Sequence, residues 1–249
     1  PLRYYASSAF NPLDCRPIAM TVPPAVAIDR LSYSYPDGTP ALHEVSLAIA
    51  PGERVALIGH NGAGKSTLLL HLNGLIPSPQ VTVCGLAATK PNLAALRQKV
   101  GLVFQNPDDQ LFCTSVEEDV AFGPRNLRLP AGEVAARVDA SLEAVGLQPL
   151  RHRSAFHLSI GQKKRAAIAT VLAMQPEVLV LDEPTSNLDH RGRRELSRLL
   201  ETFTGTMIVA THDLEWAAAL CPRMILLSEG QVIADGPSGA IMDQFTALL

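Results

Sequence analysis

Short, continuous apolar runs alternate along this chain with segments that repeat apolar residues at helical spacing. The apolar runs are Arg54–Ile58, Val100–Phe104, Val178–Leu181 and Met207–Ala210. Runs of this length and composition are typical of strands that are buried on both faces of a parallel sheet. Strands that alternate with helices predict an α/β fold with a mainly parallel sheet covered by helices on both faces.

The helical segments between these runs are recognised by their periodicity. The clearest spans residues 132–145, where the apolar positions are spaced by four, four and three residues: Val134, Val138, Leu142 and Val145. Three further segments favour helices, namely Lys65–Asn73, Ser159–Gln175 and Arg191–Leu200. Residues 106–130 interrupt the α/β rhythm with prolines and acidic residues, so we expect an inserted α-helical subdomain over about residues 106–175.

Antiparallel pairing is predicted near both ends of the chain. The strand-like runs 26–35 and 41–50 flank a turn cluster at 36–40, which predicts an N-terminal antiparallel β subdomain. Residues 223–234 predict a second hairpin around Glu229 and Gly230, followed by a short helix. Residues 1–25 contain five prolines and little periodicity, so we expect an extended or disordered leader, with one domain over residues 26–249.

A glycine-rich loop lies between the first buried strand and the following helix. Residues 59–66 have the pattern G-x-x-x-x-G-K-S, in which the glycines allow successive N–H groups to face inward and cradle an anion. The N-terminus of the helix adds the positive end of its dipole. Lys65 is placed to neutralise the β- and γ-phosphates, and the Ser66 hydroxyl to bind Mg²⁺. This strand, loop and helix predict a site for a nucleoside triphosphate.

Two carboxylates and a histidine follow two of the other buried strands. Asp182 and Glu183 come directly after residues 178–181, and His212 follows residues 207–210. Ligands of open α/β sheets bind at the carboxyl ends of the strands, so these side chains are expected at one sheet edge. We assign Asp182 to Mg²⁺ and Glu183 to the attacking water, while His212 either contacts the γ-phosphate or orients Glu183.

The N-terminus of a second predicted helix, which begins at residue 159, could also bind an anion. Ser159 and Gln162 have the spacing of a capping box at the beginning of the helix predicted from residue 159. One chain has little use for two phosphate-binding helix starts unless both meet one nucleotide. We therefore expect the second helix start to come from another copy of a similar chain.

Composition excludes several classes of function. The formal net charge of −3 gives no electrostatic footprint for nucleic acid. The four cysteines are dispersed, so neither a zinc site nor a disulfide framework is predicted, and a reducing cytoplasm is the simpler inference. No apolar stretch approaches the roughly 20 residues that span a bilayer, so any membrane link must come through a partner.

Together these motifs resemble the ATP-binding cassette (ABC) family. The resemblance covers about residues 26–235 and rests on six motifs in order: the phosphate loop, Gln105, Leu158–Gln162, Leu181–Pro184, Ser186–Asp189 and Thr211–Asp213. It implies a P-loop NTPase core that hydrolyses ATP with Mg²⁺ and pairs head to tail with a second ATPase subunit. Ser159 and Gly161 of one cassette would then meet the γ-phosphate that Lys65 of the other binds.

The resemblance also implies roles for individual residues, and Tyr35 matches the aromatic residue on which adenine stacks. The implied catalytic residues are Lys65, Gln105, Glu183 and His212. The implied metal ligands are Ser66, Gln105 and Asp182. The implied nucleotide contacts are Tyr35, Gly59, His60, Asn61, Gly62, Ala63, Gly64, Lys65, Ser66, Thr67, Ser159, Gly161, Gln162 and Asp189. Ile160 departs from the family signature, which has a glycine at this position.

Two stretches narrow the resemblance further. Residues 103–112 and 119–127 are similar to the ATPase subunits of energy-coupling-factor importers, including the cobalt and nickel uptake type. This implies a subunit that powers import of a transition metal ion or a vitamin from the cytoplasmic face of the cell membrane. It also implies a membrane coupling protein, one helix of which docks near Gln105, and a substrate-binding membrane protein. The second ATPase is either the same chain or a paralogue.

Two other readings compete with the importer. A soluble, non-transport ABC ATPase would act on ribosomes or in DNA repair; the ribosomal forms normally carry two cassettes, and the repair forms insert long coiled coils. Neither feature appears here, since Lys65 and Ser159 are only 94 positions apart. The other reading is a nucleotide-gated module without turnover, and the presence of Glu183 and His212 argues against it.

Overall fold

The computed structural model describes residues 22–248, with side chains up to residue 243. Residues 1–21, which make up most of the predicted leader, lie outside this range. Within the described range the chain forms two sheets and eight α-helices in an α/β arrangement. The fold class is therefore the one that the apolar runs predict.

The larger sheet has six strands within residues 22–248 and carries the site. In spatial order they are β10 (Gln231–Pro237), β9 (Arg223–Ser228), β3 (Arg54–Ile58), β8 (Thr206–Ala210), β7 (Val178–Asp182) and β6 (Val100–Val103). All neighbouring pairs are parallel except β10 with β9, which form the predicted terminal hairpin. Because β3, β7 and β8 are adjacent and parallel, the segments that follow them lie at the same edge.

The smaller sheet is antiparallel and, in the described part of the chain, has four strands. Their order is β2 (Pro40–Ile49), β1 (Val26–Ser34), β4 (Ser78–Val83) and β5 (Leu86–Ala88). The hairpin of β1 and β2 confirms the N-terminal prediction. The sequence reasoning missed β4 and β5, because β4 begins with three residues of low strand propensity and β5 has only three residues.

The helices cover both faces of the larger sheet. They are α1 (Lys65–Leu72), α2 (Leu93–Lys99), α3 (Val116–Asn126), α4 (Ala131–Ala144), α5 (Ile160–Leu172), α6 (His190–Glu201), α7 (Leu214–Leu220) and α8 (Ser238–Leu248). The periodic segments correctly predicted α1, α4, α5 and α6, and the four apolar positions of residues 132–145 are all buried. Helix α5 ends three residues earlier than expected, and the chain then turns through a left-handed Gln175.

The strands of the larger sheet separate two apolar cores within the described residues. Along β7, Leu179 and Leu181 belong to the core shared with α3, α4 and α5, while Val178 and Val180 pack on the opposite side with α1 and the smaller sheet. Helices α3, α4 and α5 lie between β6 and β7 in the chain, and we assign them to the helical insertion. Burial on both faces explains why these strands are continuously apolar.

Candidate nucleotide-binding and catalytic site

The loop between β3 and α1 has a backbone that requires glycine. Gly59, Gly62 and Gly64 have φ values of 150°, 82° and 101°, in the region that side chains rarely adopt. A Cβ at Gly59 would also lie 2.1 Å from the carbonyl oxygen of Leu227, and one at Gly64 would lie 2.5 Å from that of Ala41. The loop can therefore approach neighbouring backbone closely and wrap around a phosphate group.

Lys65 begins α1 and directs its ammonium group back over this loop. Its side chain is buried, and Nζ donates hydrogen bonds to the carbonyl oxygens of Gly59 at 2.8 Å and His60 at 3.1 Å. Burial lowers the pKa of Lys65, and the nearby carboxylates of Glu183 and Asp182 partly oppose that shift. The charge is thus held in a partly dehydrated position where an anionic phosphate would be its strongest partner.

Asp182 and Ser66 form the set of oxygens expected for Mg²⁺. Asp182 ends β7, and its carboxylate is buried and hydrogen-bonded to Ser66. Burial raises the pKa of Asp182, and the hydrogen bond from Ser66 acts in the opposite direction. Among the described residues, the Oδ1 atom of Asp182 is buried without a hydrogen-bond partner. A carboxylate oxygen left unpaired beside a hydroxyl fits a bound Mg²⁺, which would neutralise charge on the phosphates.

Glu183 and His212 come into direct contact at the same sheet edge. The Nδ1 atom of His212 lies 2.9 Å from Oε2 of Glu183, which also accepts hydrogen bonds from the Thr211 hydroxyl at 3.2 Å and the His212 backbone N–H at 3.4 Å. Glu183 is buried, whereas two-thirds of the His212 side chain is exposed. This contact would let His212 orient Glu183, and its exposed side chain would let it reach a γ-phosphate, so both roles stay predictions.

Tyr35 is held beside the helix that follows the phosphate loop. Its hydroxyl lies 2.8 Å from the hydroxyl of Thr67 in α1, and its ring packs edge to face against Tyr33 with centroids 5.2 Å apart. The ring is partly exposed. This location is suitable for a base bound next to the phosphate loop, and stacking on adenine stays a prediction.

The start of α5 has the capping box that the sequence predicts. The Ser159 hydroxyl accepts from the N–H of Gln162 at 3.3 Å, and the Gln162 side chain accepts from the N–H of Ser159 at 2.9 Å. Ser159, Gly161 and Gln162 line a cleft of about 270 Å³ together with Asp189. Asp189 has a structural role as well, because its carboxylate accepts from the N–H of Gly192 at 2.7 Å and caps α6.

Gln105 is exposed just after β6, at the beginning of a loop that Gln110 holds in place. The Gln110 side chain accepts from the N–H of Phe104 at 3.2 Å and donates to Ala167 and Thr170 of α5 at 2.8 Å. The sequence reasoning gave Gln110 no role of its own.

A second residue that the sequence reasoning missed is Lys164, which lies buried in α5 next to Glu183. A lysine one turn into a helix gives no sequence signal of such burial.

Beyond this loop two aromatic rings form an exposed pair. Phe112 and Phe122 pack edge to face with centroids 4.9 Å apart, and their exposed fractions are 63% and 45%. Asp119 fixes this arrangement, because its carboxylate accepts from the backbone N–H groups of Phe112 and Cys113 at 2.9 Å each. We call this feature the Phe112–Phe122 patch.

One edge of the parallel sheet carries a glycine-rich loop with its lysine, a Ser–Asp oxygen pair and a Glu–His pair. This combination defines a P-loop nucleoside triphosphatase. The family model described as ABC transporter matches residues 42–186. The chain therefore belongs to the ABC transporter family and is the ATP-binding subunit of an ABC transporter, an ATPase that uses ATP with Mg²⁺. No helix within residues 22–248 is long and apolar enough to cross a membrane.

Relatives and solved structures agree with this assignment. The chain is 48% identical over 225 residues to the energy-coupling factor transporter ATP-binding protein EcfA of Carboxydothermus hydrogenoformans, covering 88% of this chain and 83% of that protein. It is 51% identical over 218 residues to EcfA of Methanothermobacter thermautotrophicus, covering 85% and 70% respectively.

Among solved structures, it is similar to cbiO1 of Clostridium perfringens, a part of the ABC transporter complex cbiONQ. The TM-score is 0.80 with 38% identity, and the match covers 91% of this chain and 93% of that one. It is also similar to the ATP-binding cassette MJ0796, solved as a dimer in a post-hydrolysis state with ADP and Pi. Here the TM-score is 0.78 with 27% identity, and the match covers 86% and 98%.

Proposed function

We propose that this ATPase powers an energy-coupling-factor importer for a small nutrient, either a transition metal ion such as cobalt or nickel or a vitamin. Two relatives at about half identity carry the name of energy-coupling factor transporter ATP-binding proteins. A solved relative belongs to the complex cbiONQ. We further propose that the chain works at the cytoplasmic face of the cell membrane, bound to a membrane coupling protein beside a substrate-binding membrane protein.

The observation that carries this proposal is the Phe112–Phe122 patch. Large exposed aromatic rings of this kind are favoured at protein interfaces, because they bury much apolar area with little loss of conformational entropy. The patch follows the loop of Gln105, which Gln110 ties to α5. A helix of the coupling protein that binds here would thus contact a segment that begins at Gln105, next to β6, and is held to the second half of α5.

We also propose that the complete ATP site contains two cassettes. The phosphate loop, Asp182 and Glu183 would hold one face of the nucleotide, and Ser159 and Gly161 of a second ATPase subunit would hold the other. Support comes from the exposed start of α5, where Ile160 is 41% exposed and Ser159 opens into a cleft. The partner is a second copy of the chain or a paralogue.

Co-purification from native membranes tests the importer assignment. The tagged chain should recover a membrane coupling protein together with a second membrane protein, and the bound nutrient of that second protein would identify the substrate. Replacing Phe112 with Ala should weaken the recovery, whereas replacing Ile233, which is 44% exposed on β10, should leave it unchanged. Recovery of ribosomal or DNA-repair proteins alone would replace the importer with a soluble ABC ATPase.

The catalytic roles are tested with two variants of the purified complex. Lys65→Ala should abolish ATP binding, because it removes the charge nearest to the phosphates. Glu183→Gln should keep ATP binding, trap the closed dimer and reduce turnover by about 10³-fold or more, the scale of charge and positioning effects in phosphoryl transfer. Undiminished hydrolysis by Glu183→Gln would show that another group positions the attacking water.

A further inference from the structure

Glu183 has a backbone conformation that its neighbours must maintain. Its φ of 44° lies in the left-handed region, which is strained for a residue other than glycine. Its N–H donates to the carbonyl oxygen of Ala210 at 2.8 Å. Its own carbonyl oxygen accepts from Lys164 at 2.9 Å and from Ser186 at 2.9 Å. These contacts set the direction in which the Glu183 carboxylate leaves the main chain.

Lys164 is an unusual residue for this task. Its side chain is 5% exposed, and its ammonium group donates to the Glu183 carbonyl oxygen and, at 2.8 Å, to the Ser186 hydroxyl. Burial lowers its pKa to about 8. Removing an ammonium group from water is costly, and neutral partners compensate for it only in part. An apolar residue would stabilise the fold at lower cost, so the buried charge points to a role in the site.

We propose that Lys164 is a positioning residue for ATP hydrolysis. It holds the carbonyl group of Glu183, and thereby keeps the Glu183 carboxylate against His212, where it can polarise the attacking water. The contact also connects α5 to the carboxyl end of β7, so the helical insertion supports the catalytic carboxylate of its own chain. This inference rests on the proposed role of Glu183.

The test measures steady-state ATP hydrolysis by the purified complex carrying Lys164→Met. Because the positioned group acts on the water and not on the nucleotide, kcat should fall at least about tenfold while the KM for ATP changes less than about threefold. A tenfold loss corresponds to about 1.4 kcal/mol of transition-state stabilisation. The matched control is Lys99→Met, which removes a lysine that pairs with Glu177 at the surface and should keep the wild-type kcat.

Ser186→Ala is the second variant, and it is the decisive one if Lys164→Met fails to fold. It removes one contact of Lys164 and one of the Glu183 carbonyl oxygen. We expect a smaller loss of kcat, again with little change in KM. A wild-type kcat in either folded variant, or a loss that appears only in KM, would overturn the inference. Glu183→Gln separates the two proposals: if it loses turnover while Lys164→Met does not, only the role of Lys164 fails.

Discussion

Substituting Gly161 with Ala tests whether the start of α5 serves another subunit. Within its own chain Gly161 is under no constraint that requires glycine: its φ lies outside the left-handed region, and a Cβ would lie 3.5 Å from the nearest neighbouring atom, Cδ2 of Leu188. Alanine also favours helix over glycine by up to about 1 kcal/mol. For a chain of this size each kcal/mol shifts Tm by about 2–4 °C, so the isolated variant should be as stable as wild type or a few degrees more stable.

The effect on ATP hydrolysis should be opposite. In the proposed two-cassette site, the added methyl group lies between α5 and the γ-phosphate bound by the partner's phosphate loop. Displacing a reacting group by about 1 Å costs on the order of 100-fold in rate. We therefore expect Gly161→Ala to lose ATPase activity of the complex by about that factor, while ATP still binds to the isolated chain.

A matched control is available in α4. Gly132 is also the second residue of its helix, and a Cβ there would meet open space among the described residues. Gly132→Ala should raise stability by a similar amount and keep full activity. Both variants would be measured by thermal unfolding of the chain and by phosphate release from the complex. Equal activity of the two variants, or unfolding of Gly161→Ala alone, would refute the reasoning.

Two further predictions concern stability. Leu142 of α4 is fully buried in the core that α4 shares with α3 and α5, so Leu142→Ala should lower the free energy of unfolding by about 2–5 kcal/mol in urea titrations. The side chain of Leu75 is 46% exposed, so Leu75→Ala should stay within about 0.5 kcal/mol of wild type. The second prediction concerns pH. Burial lowers the pKa of Lys164 from its ordinary 10.5 to about 8 in the folded chain. Between these pH values the unfolded chain binds more protons, so the stability of the wild type should rise with pH relative to that of Lys164→Met. The gain in the free energy of unfolding of the wild type relative to Lys164→Met should approach about 3 kcal/mol at pH 10.5. If the difference in stability between the two proteins stayed constant from pH 7 to pH 10, that would contradict the burial of a charged Lys164.

Local sequence patterns were sufficient to predict the strands that carry the site and the order of its motifs. Strands β3, β7 and β8 are continuous apolar runs because both of their faces are buried. Such strands are recognisable in the sequence because consecutive positions, and not only alternate ones, are apolar. The loop glycines and the capping box of α5 depend on neighbouring residues only, so their spacing is readable directly. Adjacent parallel strands then bring Asp182, Glu183 and His212 to one edge.

Other elements could not be predicted because distant contacts decide them. Helix α3 contains Pro124, which disfavours a helix locally, and packing of its apolar face against α4 and α5 outweighs that preference. Strand β4 exists because β1 offers it a partner edge. Neither feature leaves a periodic pattern that is strong enough to read in the sequence.

The finer geometry of the site belongs only to the tertiary structure. Lys164 contacts the carbonyl oxygen of Glu183 across 19 residues of chain, and Gln110 reaches α5 across 57. Nothing in the residue types distinguishes Lys164 from its neighbour Lys163, which pairs with Asp108 at the surface. Sequence patterns indicate which face of a helix or strand is buried. The partner of a single buried charge depends instead on how the helices and strands pack against one another.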